Sequence, residues 1–149
     1  MNTTYPVSPY QKTGGLVHFA RMLSKIRLHA EGKLGADYIP HLGEGFDGNC
    51  LQFLHLNYED VKKRVLDGGT DEEILQWAIK HGRGQKPCDD EINGWNNYMV
   101  KRGWRDQASE RLQMRITEAH LEQHQPKVET FFDFIDADEK RVPPAKWWE

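Results

Sequence analysis

Residues 130–141 read Thr130-Phe131-Phe132-Asp133-Phe134-Ile135-Asp136-Ala137-Asp138-Glu139-Lys140-Arg141. Large apolar side chains alternate here with four carboxylates. Side chains such as phenylalanine are stabilised by burial, and a carboxylate that is buried with them needs a cation or a metal ion as partner. We therefore expect this stretch to anchor the core and to meet positive charges from elsewhere in the chain.

Two other regions supply those positive charges. Arg21, Lys25 and Arg27 occur early in the chain, and the stretch 101–106 reads Lys-Arg-Gly-Trp-Arg-Asp. Such a meeting of charges has two interpretations. It is either a network of ion pairs that fixes how the last helix packs, or a pocket in which arginines bind the phosphate or carboxylate of a small molecule.

The composition is that of an ordinary globular domain. The chain has 149 residues, 29% of them charged, and a net charge of −3, which argues against general nucleic-acid binding. Cys50 and Cys88 are too few for a disulfide framework. We find neither an apolar run of membrane-spanning length nor a signal peptide. These features predict a reduced, cytoplasmic protein without a membrane partner.

Apolar residues recur at helical spacing along most of the chain, and no alternating strand pattern occurs. The pattern predicts an all-α fold: a compact single domain of about five to seven short helices with extended N- and C-terminal arms. We assign residues 1–15 to the N-terminal arm, 16–141 to the helical domain and 142–149 to the C-terminal tail.

Particular residues set the predicted helix boundaries. Asn57 and Thr70 are expected N-caps, and Thr70 opens a capping box. We expect helices over 106–124 and 128–135 and a glycine-rich loop over 36–49. Trp77, Trp95 and Trp104 are expected in the core.

The predicted loop at 36–49 carries four side chains able to move protons, and its glycines allow backbone amides to approach a ligand. Of these side chains, His41 and Asp47 are candidate catalytic residues. Cys50 follows directly. It is either a nucleophile at a helix start or an apolar filler, and its apolar neighbours favour the filler.

The charged cluster supplies the other candidates. Asp133 and Asp136 lie within the phenylalanine-rich turn and are predicted to be buried and catalytic, whereas Asp138 and Glu139, next to Lys140 and Arg141, are expected to be solvated. The predicted substrate-binding residues are Arg21, Lys25, Arg102, Arg105, Trp95 and Asn96.

Metal and DNA binding are weaker alternatives. His120 and His124 are spaced as metal ligands can be, but the sequence between them does not match a zinc protease. A divalent cation on the carboxylates of residues 133–139 is the better metal candidate. We predict no required cofactor. A helix-turn-helix over 90–121 is disfavoured by its acidic residues, so no nucleic-acid partner is expected.

Several stretches together resemble an uncharacterised bacterial family, the domain of unknown function DUF5069. They comprise Gly14-Gly15-Leu16-Val17-His18, residues 21–27, Gly45-Phe46-Asp47-Gly48, Trp95-Asn96, residues 101–106 and residues 130–139. The resemblance covers nearly the whole chain. It implies a bacterial single-domain protein and transfers no catalytic role to any residue.

These observations favour a small enzyme that binds an anionic metabolite, of the sugar phosphate or sugar acid type, and acts by general acid–base chemistry as an isomerase, epimerase or lyase does. The alternative is a non-catalytic helical interaction module, with terminal arms that also allow a homo-oligomer. The two hypotheses differ in whether Arg21 and Arg105 are fully paired with protein carboxylates or line a pocket.

Overall fold

The computed structural model describes residues 4–149 and confirms the all-α prediction. Seven α-helices follow one another, and the described residues contain no strand, only an isolated bridge between Thr13 and Leu16. The helices are α1 (Phe19–Ala30), α2 (Phe46–Leu54), α3 (Tyr58–Leu66), α4 (Asp71–His81), α5 (Asp89–Lys101), α6 (Ser109–Glu118) and α7 (Phe131–Asp138), with a 3-10 helix at Ala36–His41 between α1 and α2.

The helix starts follow the predicted caps. The side chain of Asn57 accepts a hydrogen bond from the backbone N–H of Asp60, which starts α3. Thr70 and Glu73 form the predicted capping box at α4. Thr130 caps α7 in the same way, through the backbone N–H of Asp133. These polar side chains satisfy backbone donors that a helix start leaves unpaired.

Three predicted boundaries differ from the structure. The region 36–49 is not one loop, because it contains the 3-10 helix and the start of α2. Helix α6 ends at Glu118 rather than near residue 124, because His120 adopts a left-handed backbone conformation and the N–H of Leu121 bonds back to the carbonyl of Ile116. This is the hydrogen bond of a Schellman motif, which stops a helix. Helix α7 starts at Phe131, since Thr130 is its cap rather than an internal residue.

Helix α7 joins two apolar clusters. Phe132 is completely buried in the main cluster, which is built from α1 to α5. Ala137 packs with Leu112 and Ile116 of α6 and with Val128 in a second, smaller cluster, against which Phe131 and Phe134 also lie. The prediction that residues 130–141 anchor the core is therefore confirmed.

The N-terminal arm lies along its own domain. Pro6 and Pro9 are buried, and the ring of Tyr10 meets Phe132 edge-on at 5.3 Å between centroids. In the C-terminal tail Trp147 packs against the main cluster, whereas Trp148 is exposed.

The tryptophans expected in the core divide three ways. Trp95 is buried and Trp77 is partly buried against the main cluster, but Trp104 is 48% exposed. The prediction for Trp104 was wrong, because the turn after α5 places it outside both clusters.

None of the helices among residues 4–149 has the length and apolarity that crossing a membrane requires.

Candidate functional site

Asp47 is completely buried and all its polar contacts come from cations or N–H groups. One carboxylate oxygen lies 2.7 Å from Nε2 of His18, and the other lies 2.8 Å from Nζ of Lys25 and 3.2 Å from the backbone N of Gly43. Burial alone would raise the pKa of this carboxyl, but His18 and Lys25 outweigh it and lower the pKa to about 2. Asp47 is therefore ionised at neutral pH.

Two residues of α5 hold the segment that carries His18. The indole N–H of Trp95 donates to the carbonyl of Val17, and the amide of Asn96 accepts from the N–H of Val17 and donates to the carbonyl of Gly15. Both residues are predicted to bind substrate. Their contacts here are with the backbone beside His18, so they position the buried cluster, and a substrate contact remains a prediction.

His18 itself has an unusual environment for an imidazole paired with a carboxylate. Its backbone is left-handed, with φ of 72°, and its Nδ1 is buried without a hydrogen-bond partner. A proton on Nδ1 would have no acceptor, so the geometry favours a neutral ring that donates from Nε2 to Asp47. Burial correspondingly lowers the pKa of His18, despite the opposing effect of Asp47.

A second buried ion pair joins α1 to the end of α7. The guanidinium of Arg21 donates to both oxygens of Glu139, at 2.8 and 2.7 Å, and also to the carbonyl of Val7. Glu139 accepts further hydrogen bonds from the hydroxyl of Tyr38 and from Arg141. Although burial raises the pKa of Glu139, these donors outweigh it and the pKa is lowered. The expectation that Glu139 is solvated was wrong.

We call the set His18, Arg21, Lys25, Asp47 and Glu139 the buried charge cluster. The three members from the start of the chain lie on the polar side of α1, which the sequence pattern alone would assign to solvent. The start of α2 and the end of α7 cover that side instead. Arg27, a third cation of α1 beside Arg21 and Lys25, pairs with Asp71 at 2.7 Å in a partly exposed position.

The acidic residues of α7 have separate partners. Asp133 is partly buried and accepts a hydrogen bond of 2.5 Å from the hydroxyl of Tyr10. Asp136 is 2% exposed and accepts from the hydroxyl of Ser8 at 3.0 Å. Asp138 is exposed, as expected. No group of three or more histidine, cysteine, aspartate or glutamate side chains within residues 4–149 is arranged to hold a metal ion.

One carboxylate oxygen of Asp136 accepts no hydrogen bond. Its Oδ1 is buried without a hydrogen-bond partner, and the nearest cation, Nη1 of Arg141, lies 3.5 Å away. Burial raises the pKa of this carboxyl. A carboxyl with a raised pKa and a free oxygen can carry a proton there, which is the property that a general acid needs.

Asp136 lines a pocket of about 450 Å³ between the N-terminal arm and the C-terminal tail. We call it the Asp136 pocket. Its wall includes three cations, Lys12, Arg141 and Lys146, and one further carboxylate, Glu149. The remaining lining residues are Ser8, Tyr10, Gln11, Val142, Pro144 and Trp147.

Arg21 lies at a different cavity. It is one of the two arginines whose pairing separates the enzyme hypothesis from the interaction-module hypothesis. With Tyr38 and His41 it lines a cleft of about 660 Å³ that we call the acidic cleft. Its carboxylates are Asp37, Glu118, Asp138 and Glu139, and its other cation is Arg115. Because Arg21 is already paired with Glu139, the cleft presents negative charge to a ligand.

The remaining predicted residues lie apart from these sites. Arg105 is exposed, and its guanidinium lies 5.6 Å from the ring centre of Trp104. Arg102 is partly exposed, and its nearest carboxylate is Asp106 at 3.8 Å. Cys50 is buried, and burial raises the pKa of its thiol, which favours the apolar filler over the nucleophile.

Sequence reasoning missed the roles of His18, Ser8, Tyr10 and Arg141. The residue types carry chemistry, but each acts through a partner that is distant in sequence, such as Asp47 for His18 and Asp136 for Ser8. Only the glycine pair before His18 and the prolines of the arm hinted that these segments are held in fixed conformations.

Comparison with known families places the whole helical domain in one family. The model of the domain of unknown function DUF5069 matches residues 3–141, and the chain belongs to that family. No curated protein matches the chain. The match ends before the C-terminal tail, and the lining residues of the Asp136 pocket that lie outside it are Val142, Pro144, Lys146, Trp147 and Glu149.

The state of His18 gives a pH test. Its pKa is lowered in the folded protein relative to the ordinary value of 6.5. Below that pH the unfolded chain therefore binds a proton that the native state resists. The contribution of neutral His18 to the free energy of unfolding is complete above pH 6.5. It falls on acidification by up to about 1.4 kcal/mol per pH unit. In His18→Gln the side-chain amide replaces the Nε2–H donor and does not titrate.

We expect urea unfolding to show a smaller stability loss between pH 7.5 and 5.5 in His18→Gln than in the wild-type protein. Any backbone strain from glutamine at this left-handed position acts equally at both pH values. Equal losses in the two proteins would contradict a neutral His18.

The Arg21–Glu139 pair gives a stability test. Glu139→Ala leaves Arg21 and Tyr38 without their main acceptor, so we expect the free energy of unfolding to fall by about 3 kcal/mol. Asp138→Ala is the matched control, since Asp138 is adjacent but exposed. Removing a negative charge from a helix C-terminus should change stability by less than about 0.5 kcal/mol. Similar losses in both variants, measured by chemical denaturation, would refute the ion-pair assignment.

Proposed function

We propose that this member of the DUF5069 family binds a small anionic molecule in the Asp136 pocket and that Asp136 transfers a proton to or from it. The observation that carries the proposal is one almost fully buried carboxyl with an unpartnered oxygen beside a pocket that three cations line. The ligand class is a sugar phosphate or sugar acid, and the reaction class is an isomerisation, epimerisation or lyase reaction.

The charges of the pocket suit an anion. When Asp136 is protonated, the lining carries three positive charges from Lys12, Arg141 and Lys146 against one negative charge from Glu149. Arg141 is partly engaged, since it also donates to Glu139 and to the carbonyl of Pro6. Both lysines are exposed, and Nζ of Lys146 lies 3.7 Å from a carboxylate oxygen of Glu149. An exposed pair of this kind is weak, so both lysines can turn towards a ligand.

The two carboxylate oxygens of Asp136 have different roles in this proposal. Ser8 holds Oδ2 of Asp136, which leaves the buried Oδ1 without a hydrogen-bond partner. In this proposal the carboxyl turns when a ligand binds, so that Oδ1 faces the pocket and carries or accepts the proton. The same serine accepts a hydrogen bond from the backbone N–H of Tyr10, which ties the carboxyl to the N-terminal arm. In this proposal a carbon–hydrogen bond next to a carbonyl or carboxylate breaks when Asp136, in its ionised form, takes the proton, and forms when Asp136 returns it.

The acidic cleft is a poorer place for an anion. Four carboxylates line it and Arg21 is neutralised by one of them, so an anion would be repelled. Asp47 is also unsuited to contact a ligand, because it is completely buried and both its oxygens are occupied. The catalytic role predicted for Asp47 therefore gives way, in this proposal, to a structural one.

The proposal includes a cytoplasmic location. Both cysteines are free, and Cys88 is exposed. An exposed free thiol is best tolerated in a reducing compartment.

A second candidate function is a protein-interaction module. It is favoured by a groove of about 350 Å³ that combines exposed Trp104 and Trp148 with several prolines. Its proline and tryptophan side chains are Pro126, Pro143, Pro144, Trp104, Trp147 and Trp148. Surface aromatic residues of this kind are enriched at protein interfaces. Ligand stabilisation that depends on Lys12 and Lys146 separates the two functions, because neither lysine lines this groove.

The binding step is tested by thermal denaturation with a panel of sugar phosphates and sugar acids. We expect at least one compound to raise the Tm of the wild-type protein and to lose this effect in the Lys12→Ala/Lys146→Ala double variant, because the two exposed cations of the pocket are gone. A panel without effect on the wild type would contradict the proposal.

The chemical step is tested by NMR detection of deuterium uptake from D₂O into the compound that binds. Asp136→Asn keeps the side-chain volume and a partner for Ser8 but cannot transfer a proton at neutral pH. We expect it to slow the exchange by about 10²-fold or more while binding persists. Asp138→Asn, a nearby exposed carboxylate on the same helix, serves as control and should exchange at the wild-type rate. Equal exchange in Asp136→Asn would exclude Asp136 as the proton-transfer group.

A further inference from the structure

A separate pocket of about 280 Å³ forms where α2, α5, α6 and α7 approach one another. We call it the arginine pocket. Its lining residues are Gly45, Phe46, Asn49, Tyr98, Arg102, Arg111 and Phe131. None of them lines the Asp136 pocket, so the two pockets can be tested independently.

The charge of the arginine pocket is entirely positive. Two guanidinium groups line it, and no carboxylate does. Arg111 makes no ion pair within residues 4–149, and its guanidinium lies 5.2 Å from the ring centre of Phe131. Two neighbouring positive charges repel each other, and an anion between them would relieve that repulsion.

Arg102 has one weak ion-pair partner, Asp106. The distance between them is 3.8 Å, which is too long for a hydrogen bond. The two carboxylate oxygens of Asp106 already accept hydrogen bonds of 2.8 Å from the backbone N–H groups of Gly103 and Ala108. Asp106 therefore shapes the turn between α5 and α6 and neutralises Arg102 only weakly.

The backbone fixes the position of both arginines. Arg102 lies at the C-terminal end of α5, and its carbonyl accepts a hydrogen bond from the N–H of Phe131 at 2.9 Å. Arg111 lies in the first turn of α6, which packs on α7. Because α5 and α6 carry the two charges and the start of α7 holds the backbone of Arg102, the pocket does not depend on a mobile loop.

We propose that the arginine pocket binds the phosphate or carboxylate group of a small organic molecule. Guanidinium groups bind both kinds of oxyanion through paired hydrogen bonds. The amide of Asn49 and the hydroxyl of Tyr98 supply further donors, and the rings of Phe46 and Phe131 offer apolar surface for the organic part. The volume suits a small ligand.

The pocket also adjoins the buried core. The ring of Phe46 meets Phe132 edge-on at 5.2 Å and lies 5.8 Å from the imidazole of His18. Phe46 directly precedes Asp47, so a ligand in the arginine pocket rests on the segment that carries the buried carboxylate. Ligand binding should therefore stabilise the folded protein as well as occupy the pocket.

The experiment is calorimetric titration of the full chain with inorganic phosphate and, separately, with benzoate, in a buffer without competing anions. It is carried out in the Lys12→Ala/Lys146→Ala background, which removes two of the three cations of the Asp136 pocket. The Arg111→Ala substitution tests the site. Arg115→Ala is the matched control, because Arg115 is an exposed arginine of the same helix that faces the acidic cleft instead.

We expect at least one probe to bind, and Arg111→Ala to weaken its affinity about tenfold or more, as loss of a charge-assisted hydrogen bond does. Arg115→Ala should bind as the background protein does. A second substitution, Arg102→Met, should weaken binding as well. Phosphate binding alone identifies a phosphate site, and benzoate binding alone identifies a carboxylate site.

Two results would overturn the proposal. One is the absence of binding by both probes at millimolar concentration. The other is binding that Arg111→Ala and Arg102→Met leave unchanged. Arg111 is exposed, so its variant should fold normally, which circular dichroism checks. Neither result bears on the Asp136 pocket, because the lysines of that pocket are already absent.

Discussion

The structure depends on one carboxylate that has no contact with water. Asp47 is held between Lys25 and His18, and removal of either partner would leave a buried charge that is only partly compensated, at a cost of several kcal/mol. This constraint joins the polar side of α1 to the start of α2. Because Asp47 follows Phe46, the same contact fixes one wall of the arginine pocket. The buried charge cluster thus connects the packing of the fold to the arginine pocket, the proposed ligand site.

The charges of the chain fall into two groups with different uses. Arg21 and Lys25 are buried and fully engaged, so they serve the fold, even though their residue types alone favour anion binding. The charges that remain available are at the surface, in the Asp136 pocket and the arginine pocket. Buried ion pairs contribute little net stability for their desolvation cost. We regard their role as orienting: they set the relative positions of α1, α2 and α7 and thereby shape both pockets.

The sequence predicts the helices better than it predicts the partners of the charged residues. The caps at Asn57 and Thr70 act within one helical turn, so local sequence is enough to find them. The anchoring role of residues 130–141 follows from their phenylalanines. The pairing of His18 with Asp47 cannot be predicted from local sequence, because the two residues lie 29 positions apart and meet only after α1 and α2 have packed. The prediction that Glu139 is solvated fails for another reason. Lys140 adopts a left-handed conformation that turns the chain and brings Arg141 back onto Glu139. A carboxylate with charged neighbours in the sequence is therefore buried in the structure.

The central claim is that the buried cluster serves the fold while the pockets serve the ligand. Backbone amide NMR of the ¹⁵N-labelled protein during titration with inorganic phosphate tests it directly. The account predicts shifts that saturate at residues around Lys12 and Lys146 or around Arg111, with the amide of Lys25 unchanged. Shifts concentrated at Gly43 and Lys25, with both pockets silent, would show that the ligand enters the buried cluster and would contradict the account.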